Sequence, residues 1–162
     1  MNELLILIVA VGSLIVLVRT LRKKNFANRV TSISLFDAIA EDDFSAFTEK
    51  VEQGSDLTIT DKDGNNLLHH AVRLGRLQFT DMLLQMNFPI DTRNHAGETA
   101  LMIAVQTGNR NIVLKLLEAG SNPQLYNNKA QSALDLARSG YHYDIEGLLR
   151  TYAAELHVQN FR

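Results

Sequence analysis

The sequence predicts an all-α fold, a solenoid of about four helix-turn-helix units preceded by one transmembrane helix. Two observations predict it. Four segments align without a gap at a spacing of 33 residues, and an uncharged apolar run opens the chain. Self-similarity at such a period is the signature of stacked repeats, and an apolar run of that length is the signature of a membrane span.

The aligned segments are NRVTSISLFDA (28–38), DKDGNNLLHHA (61–71), NHAGETALMIA (94–104) and NNKAQSALDLA (127–137). Leu35, Leu68, Leu101 and Leu134 share one register, and Ala38, Ala71, Ala104 and Ala137 share another. Each unit reads the same way. A polar turn such as Asp63-Gly64 or Ala96-Gly97 precedes Asn66, Thr99 or Ser132. These side chains accept hydrogen bonds from the free N–H groups of a helix start. The short helix that follows carries Leu and Ala three residues apart on one face, and the small Ala admits a close neighbour. Gly75 and Gly108 end the first helix, as residues able to adopt a left-handed backbone do. A second helix carries Leu83-Leu84, Leu116-Leu117 or Leu148-Leu149, and Gly54, Asn87 and Gly120 follow the second helices. One such unit cannot bury its apolar face alone, whereas stacked units can.

The opening run is LLILIVAVGSLIVLV, Leu4 to Val18, and extending it to Leu21 gives 18 residues. That is about 27 Å of helix, near the short end of a bilayer span. A cleaved signal peptide would place positive charge before the run and small residues after it; here Asn2 and Glu3 precede it and the basic residues follow. A buried soluble helix is rarely apolar on every face. Arg19, Arg22, Lys23, Lys24 and Arg29 lie C-terminal to the run, so the positive-inside rule places the body in the cytoplasm. A periplasmic or otherwise extracytoplasmic body is the alternative.

The repeat resembles the ankyrin repeat over residues from about 28 to 152. The repeat length, the L-x-x-A spacing and Gly97-Glu98-Thr99-Ala100-Leu101 carry the resemblance. It departs from the family in its TPLH tetrapeptide, which stands as Asn66-Leu67-Leu68-His69, Thr99-Ala100-Leu101-Met102 and Ser132-Ala133-Leu134-Asp135. Asp42 and Tyr141 stand in the outer units where the inner ones have Gly75 and Gly108. The expected organisation is therefore an anchor over 1–21, a basic juxtamembrane linker over 22–32, an ankyrin-repeat solenoid over 33–152, and a tail or cap over 153–162.

Composition narrows the function. The chain has no cysteine, which removes thiolate chemistry and cysteine metal knuckles. Residues 1–27 hold four of the 16 Lys/Arg and one of the 18 Asp/Glu, leaving 12 against 17 and a net −5 in the rest. That balance disfavours a nucleic-acid partner. Asp61-Lys62-Asp63-Gly64-Asn65 looks like part of a calcium loop, but the twelfth position counted from Asp61 is Val72, where a bidentate Glu is needed. His69 and His70 are adjacent on a helix and point about 100° apart. The resemblance implies a structural hydrogen-bonding role for His69, at the TPLH histidine position. No phosphate loop, nucleophile elbow or H-E-x-x-H stands in the chain. We therefore expect no enzyme activity, no cofactor, no metal and no small-molecule substrate.

The resemblance instead implies a protein partner held by the turn tips and first-helix face. The matching positions are Lys62, Asp63, Asn65, Arg73 and Leu74, then His95, Ala96, Glu98, Gln106 and Thr107, then Asn128, Lys129 and Gln131, with Arg93 and Tyr126 ahead of the turns. The leading expectation is a membrane-tethered interaction scaffold whose partner is itself membrane-associated and whose residues 4–21 contact the lipid bilayer. Two alternatives remain open. One is an accessory subunit that binds an integral membrane complex through its transmembrane helix. The other is a non-cytoplasmic ankyrin domain protecting or escorting a secreted or periplasmic enzyme.

Overall fold

A computed structural model describes residues 33–159 of the chain. The expected anchor, with its lipid contact over 4–21, and the linker over 22–32 lie outside the described residues, as do residues 160–162. Among the described residues, no helix is long and apolar enough to cross a membrane.

Among the described residues eight helices follow one another, in pairs: α1 (Leu35–Ala40) and α2 (Phe44–Glu52), α3 (Leu67–Arg73) and α4 (Leu77–Gln85), α5 (Ala100–Gln106) and α6 (Arg110–Glu118), α7 (Ala133–Ser139) and α8 (Tyr143–Gln159). The first helices α1, α3, α5 and α7 pack in a row, each against the next, and α4, α6 and α8 pack behind them. No strand forms among the described residues; the turns before α3 and α7 close with single antiparallel bridges, Thr60 to Asn66 and Tyr126 to Ser132.

Local chemistry explains where each first helix begins. The side chains of Asn66, Thr99 and Ser132 accept from the N–H groups of His69, Met102 and Asp135. In the first unit the equivalent position is Ile33, which has no side-chain acceptor. The cap therefore shifts one residue to Ser34, and α1 starts at Leu35, where its period mates are second in their helices. Bonds from the Ser34 and Ser132 hydroxyls hold the carboxyls of Asp37 and Asp135 below the usual carboxylate range.

The first helices end on left-handed residues. Gly75 and Gly108 have φ of +68°, and Asp42 and Tyr141 adopt 59° and 58° at the same place in the outer units. A side chain there costs roughly 1–2 kcal/mol that glycine avoids. At Asp42 the carboxylate meets Arg76 Nη1 at 3.0 Å. Arg76 also donates to the carbonyls of Ile39 and Ala40 at 3.3 and 2.9 Å. A cation from unit two thus closes the carbonyl end of α1, where helix geometry leaves acceptors free.

The core is the repeat itself. Ala38, Ala71, Ala104 and Ala137 are all fully buried, as are Leu68 and Leu101. Phe47, Phe79, Leu83, Ile112, Leu116 and Ile145 fill the space behind them. Phe79 meets both Phe44 and Phe47 edge to face at 5.2 Å, an arrangement aromatic rings favour. Leu134 is only partly buried, because no further described unit covers it.

One buried polar group ties unit two to unit three. His69 is fully buried, and its Nε2 lies 3.1 Å from the Glu98 carbonyl. Nδ1 lies 3.2 Å from the Asn66 N–H. Nδ1 also lies 2.6 Å from Asn66 Oδ1, and the Glu98 carbonyl, which can only accept, takes a proton from Nε2. Burial holds the ring's pKa below its ordinary value of 6.5. His70, less buried, is shifted the same way by the same cause.

Two predictions follow from this packing. Leu101→Ala costs about 2–5 kcal/mol, measured as a shift in urea unfolding followed by helical circular dichroism; a loss under about 1 kcal/mol contradicts the shared core. The second concerns pH. A histidine whose folded pKa is depressed binds its proton more weakly folded than unfolded, so stability is full above pH 6.5 and declines as pH falls through that value. Unfolding midpoints between about pH 7.5 and pH 5 should therefore drop, and His69→Gln should flatten the slope; an unchanged slope in that variant removes His69 as the cause.

Candidate functional site

The turn tips are built from one repeat position, held by Asp61, Asn94 and Asn127 in turn. Asp61 Oδ1 accepts from the N–H groups of Asp63 and Asn65 at 2.9 and 2.8 Å. Asn94 Oδ1 accepts from Ala96 and Glu98 at 3.0 and 2.9 Å. Asn127 Oδ1 accepts from Lys129 and Gln131 at 2.9 and 3.0 Å. Short polar side chains organise turns in this way. Burial pushes the Asp61 carboxyl up, but its bonds from Asn65 and Asp63 outweigh that and hold it below the usual range. Asp61, the segment that looks like a calcium loop, is thus occupied with its own turn. Asp61, Asn94 and Asn127 were not among the expected site residues. The signal for them stands in the sequence: each opens its aligned segment, 33 residues apart.

The tips are then linked to each other. The His95 N–H donates to the Asp63 carbonyl at 2.9 Å, and the Asn128 N–H to the Ala96 carbonyl at 3.0 Å. Gly64 has φ of +76°, and a Cβ there would sit 2.6 Å from His95 Cδ2. The third tip has Ala130 in the left-handed region at 56°, where its two period mates are glycines.

The structure sorts the expected face residues into two groups. Lys62, Asp63, Arg73, Leu74, His95, Ala96, Gln106, Thr107, Asn128 and Lys129 are exposed, and Glu98 and Gln131 are half-buried. Tyr126 is 58% exposed. Several of these also hold the stack together. Arg93 is exposed yet donates from Nε to the Gly97 carbonyl at 3.0 Å and from Nη2 to the Tyr126 carbonyl at 2.6 Å. Asn128 Nδ2 donates to the His95 carbonyl at 2.9 Å. Glu98 Oε1 accepts from Gln106 at 2.7 Å. Asn65 is the clearest case, being only 4% exposed. Its Nδ2 donates to Asp61, and its Oδ1 accepts from Asn94 Nδ2 at 2.9 Å and Arg73 Nη2 at 3.2 Å. Asn65 positions the face from beneath, and its side chain is not a free contact.

Between the first two tips and α3 lies a cleft lined by Asp63, Asn65, Arg73, Asn94, His95, Ala96 and Glu98. Its chemistry is that of hydrogen bonding and charge pairing. Among the described residues, no group of three or more His, Asp or Glu is placed to hold a metal ion.

A family model described as ankyrin repeats (3 copies) matches residues 35–127. A putative ankyrin repeat-containing protein of Treponema pallidum (strain Nichols) is 29% identical over 111 residues, 68% of this chain and 37% of that protein. Ankyrin repeat and SOCS box protein 2 of Bos taurus is 36% identical over 92 residues, 56% of this chain and 14% of its own length. Diacylglycerol kinase zeta of Rattus norvegicus is 34% identical over 90 residues, 54% of this chain and 10% of that enzyme. The chain spans well under half of each of these relatives, and an activity such as the kinase's belongs to that whole protein. Three matched repeats, the shared tips and the paired helices agree: this chain belongs to the ankyrin-repeat family, whose repeats are generally non-catalytic and serve protein–protein interaction.

Proposed function

We propose that the chain is a membrane-tethered scaffold that holds a protein partner near the bilayer through its turn tips and first-helix face. The observation that carries this reading is the division of labour within each repeat. Leu and Ala at fixed register are consumed by stacking, while Lys62, Arg73, Leu74, Gln106, Thr107 and Lys129 stay exposed. Repetition lines such residues up on one side of a solenoid, the usual way these surfaces recognise extended partners. The apolar run from Leu4 to Leu21 and the basic residues after it support the tether and a cytoplasmic body. Tethering raises the effective concentration of a partner in the same membrane.

Two outcomes test this. The full chain should resist alkaline carbonate extraction, and a C-terminal reporter active only in the cytoplasm should be active. Extraction into the soluble fraction removes the tether, and activity of an export-dependent reporter instead moves the body across the membrane. The face itself is tested by Lys62→Ala, Leu74→Ala and Lys129→Ala combined; Arg93, Glu98 and Gln106 are spared because they bond within the stack. Stability should stay within about 1 kcal/mol, as exposed changes usually do, while partners captured in mild detergent are lost. Full retention of every partner by a variant that melts as wild type means that another surface carries recognition.

A further inference from the structure

The cations of the described body divide by location. Arg76, Arg110, Lys115, Arg138 and Arg150 each meet a carboxylate within 4.0 Å; Arg138 reaches Glu146 from first helix α7, and the others lie at the helix-turn edge or on the second helices. Lys62, Arg73, Arg93 and Lys129 lie on the tip and first-helix side, and among the described residues none of them has a carboxylate partner; Lys50, on α2, is the other such cation. Surface cations without partners on one face are complementary to an acidic one.

Arg73 is the best placed of them. Its Nη2 donates to the Oδ1 of buried Asn65 at 3.2 Å, and that oxygen is itself fixed by Asn94 Nδ2 at 2.9 Å. One prong of the guanidinium is thereby anchored, and an arginine carries five donors in a rigid fork. Two carboxylates line the same cleft: Glu98 is turned elsewhere, its Oε1 accepting from Gln106 at 2.7 Å and its Oε2 facing Asn94 at 3.4 Å, and Asp63 stands exposed on the first tip without pairing with Arg73. Beside Arg73, Leu74 is 41% exposed. A held guanidinium with spare donors fits a carboxylate in two-pronged fashion, and the adjacent Leu fits an apolar side chain.

We infer that the Arg73 cleft receives an acidic, extended segment of the protein partner, with one Asp or Glu carboxylate paired to Arg73 and a neighbouring apolar residue set against Leu74. This deepens the proposed scaffold reading and rests on it for the choice of face. It names carboxylate chemistry as the determinant of which partner is taken.

The test uses the full chain in detergent micelles. The probes are fluorescent synthetic peptides of one extended sequence bearing Glu-Leu, Gln-Leu, Lys-Leu or phosphoserine-Leu pairs, read by anisotropy. The Glu peptide should bind about tenfold tighter than the Gln peptide, the ratio that one good charged contact supplies. Arg73→Gln should abolish that preference, and Arg150→Gln, which removes a paired cation, should keep it. Arg73→Glu should turn the preference toward the Lys peptide. Arg73→Lys, which keeps the charge and loses the fork, should retain an intermediate preference and separates recognition from any loss of fold seen by melting. Equal binding of the Glu and Gln peptides, binding of neither, or a preference surviving Arg73→Gln overturns the inference, and so does a phosphoserine peptide favoured over the Glu peptide. Failure here leaves the scaffold reading standing if the combined face variant still loses its captured partners. Retention of those partners sinks the scaffold reading on its own.

Discussion

Among the described residues no helix pair buries its apolar side alone. Fully buried Leu68 and Leu101, and the alanines at 71, 104 and 137, lie in first helices that pack in a row, each against the next. The requirement is geometric: a short helix of six or seven residues is below the length at which helices persist in water. Tertiary burial must supply what local propensity does not. Several features of the body serve the neighbour contact: the small alanine, the Arg76 reach to α1 and the His69 bond to Glu98.

The same constraint shapes the surface. Because stacking consumes one set of positions in each repeat, another set is left exposed in a row. The turn network then fixes that row in place: Asn94 bonds its own turn, the Asn65 beneath the previous turn and, through Asn65, the guanidinium of Arg73. Groups that look like surface are therefore of two kinds. Arg93 and Asn128 are exposed yet work between units, whereas Lys62 and Lys129 have no such bond among the described residues. Only the second kind is at the disposal of a partner.

Much of the fold was legible because its causes are local or periodic. The caps at Asn66, Thr99 and Ser132 follow from side-chain chemistry beside an apolar stripe, and the left-handed residues after each helix follow from Gly75 and Gly108. The 33-residue register located the core. What was not legible depends on pairs far apart in the chain. Asn65 reads as a polar turn residue, and only its contact with Asn94, 29 residues away, shows that it is buried. Arg93 reads as an interface residue until Tyr126, 33 residues away, accepts its donor. The shifted cap at Ser34 arises because Ile33 cannot cap, a detail the periodic alignment smooths over. The apolar run at 4–21, read from hydropathy, lies outside the described residues.

Coupling between units is the central claim, and native-state hydrogen exchange under rising urea tests it most directly. The amides of Ala71 in α3 and Ala104 in α5 belong to different helix pairs and to one shared core. If stacking holds each unit folded, the two amides open with one free energy and one dependence on urea, as members of a single cooperative unit do. If α3 and α5 open at separate urea concentrations with separate slopes, each pair is stable by itself and the account of the fold is wrong.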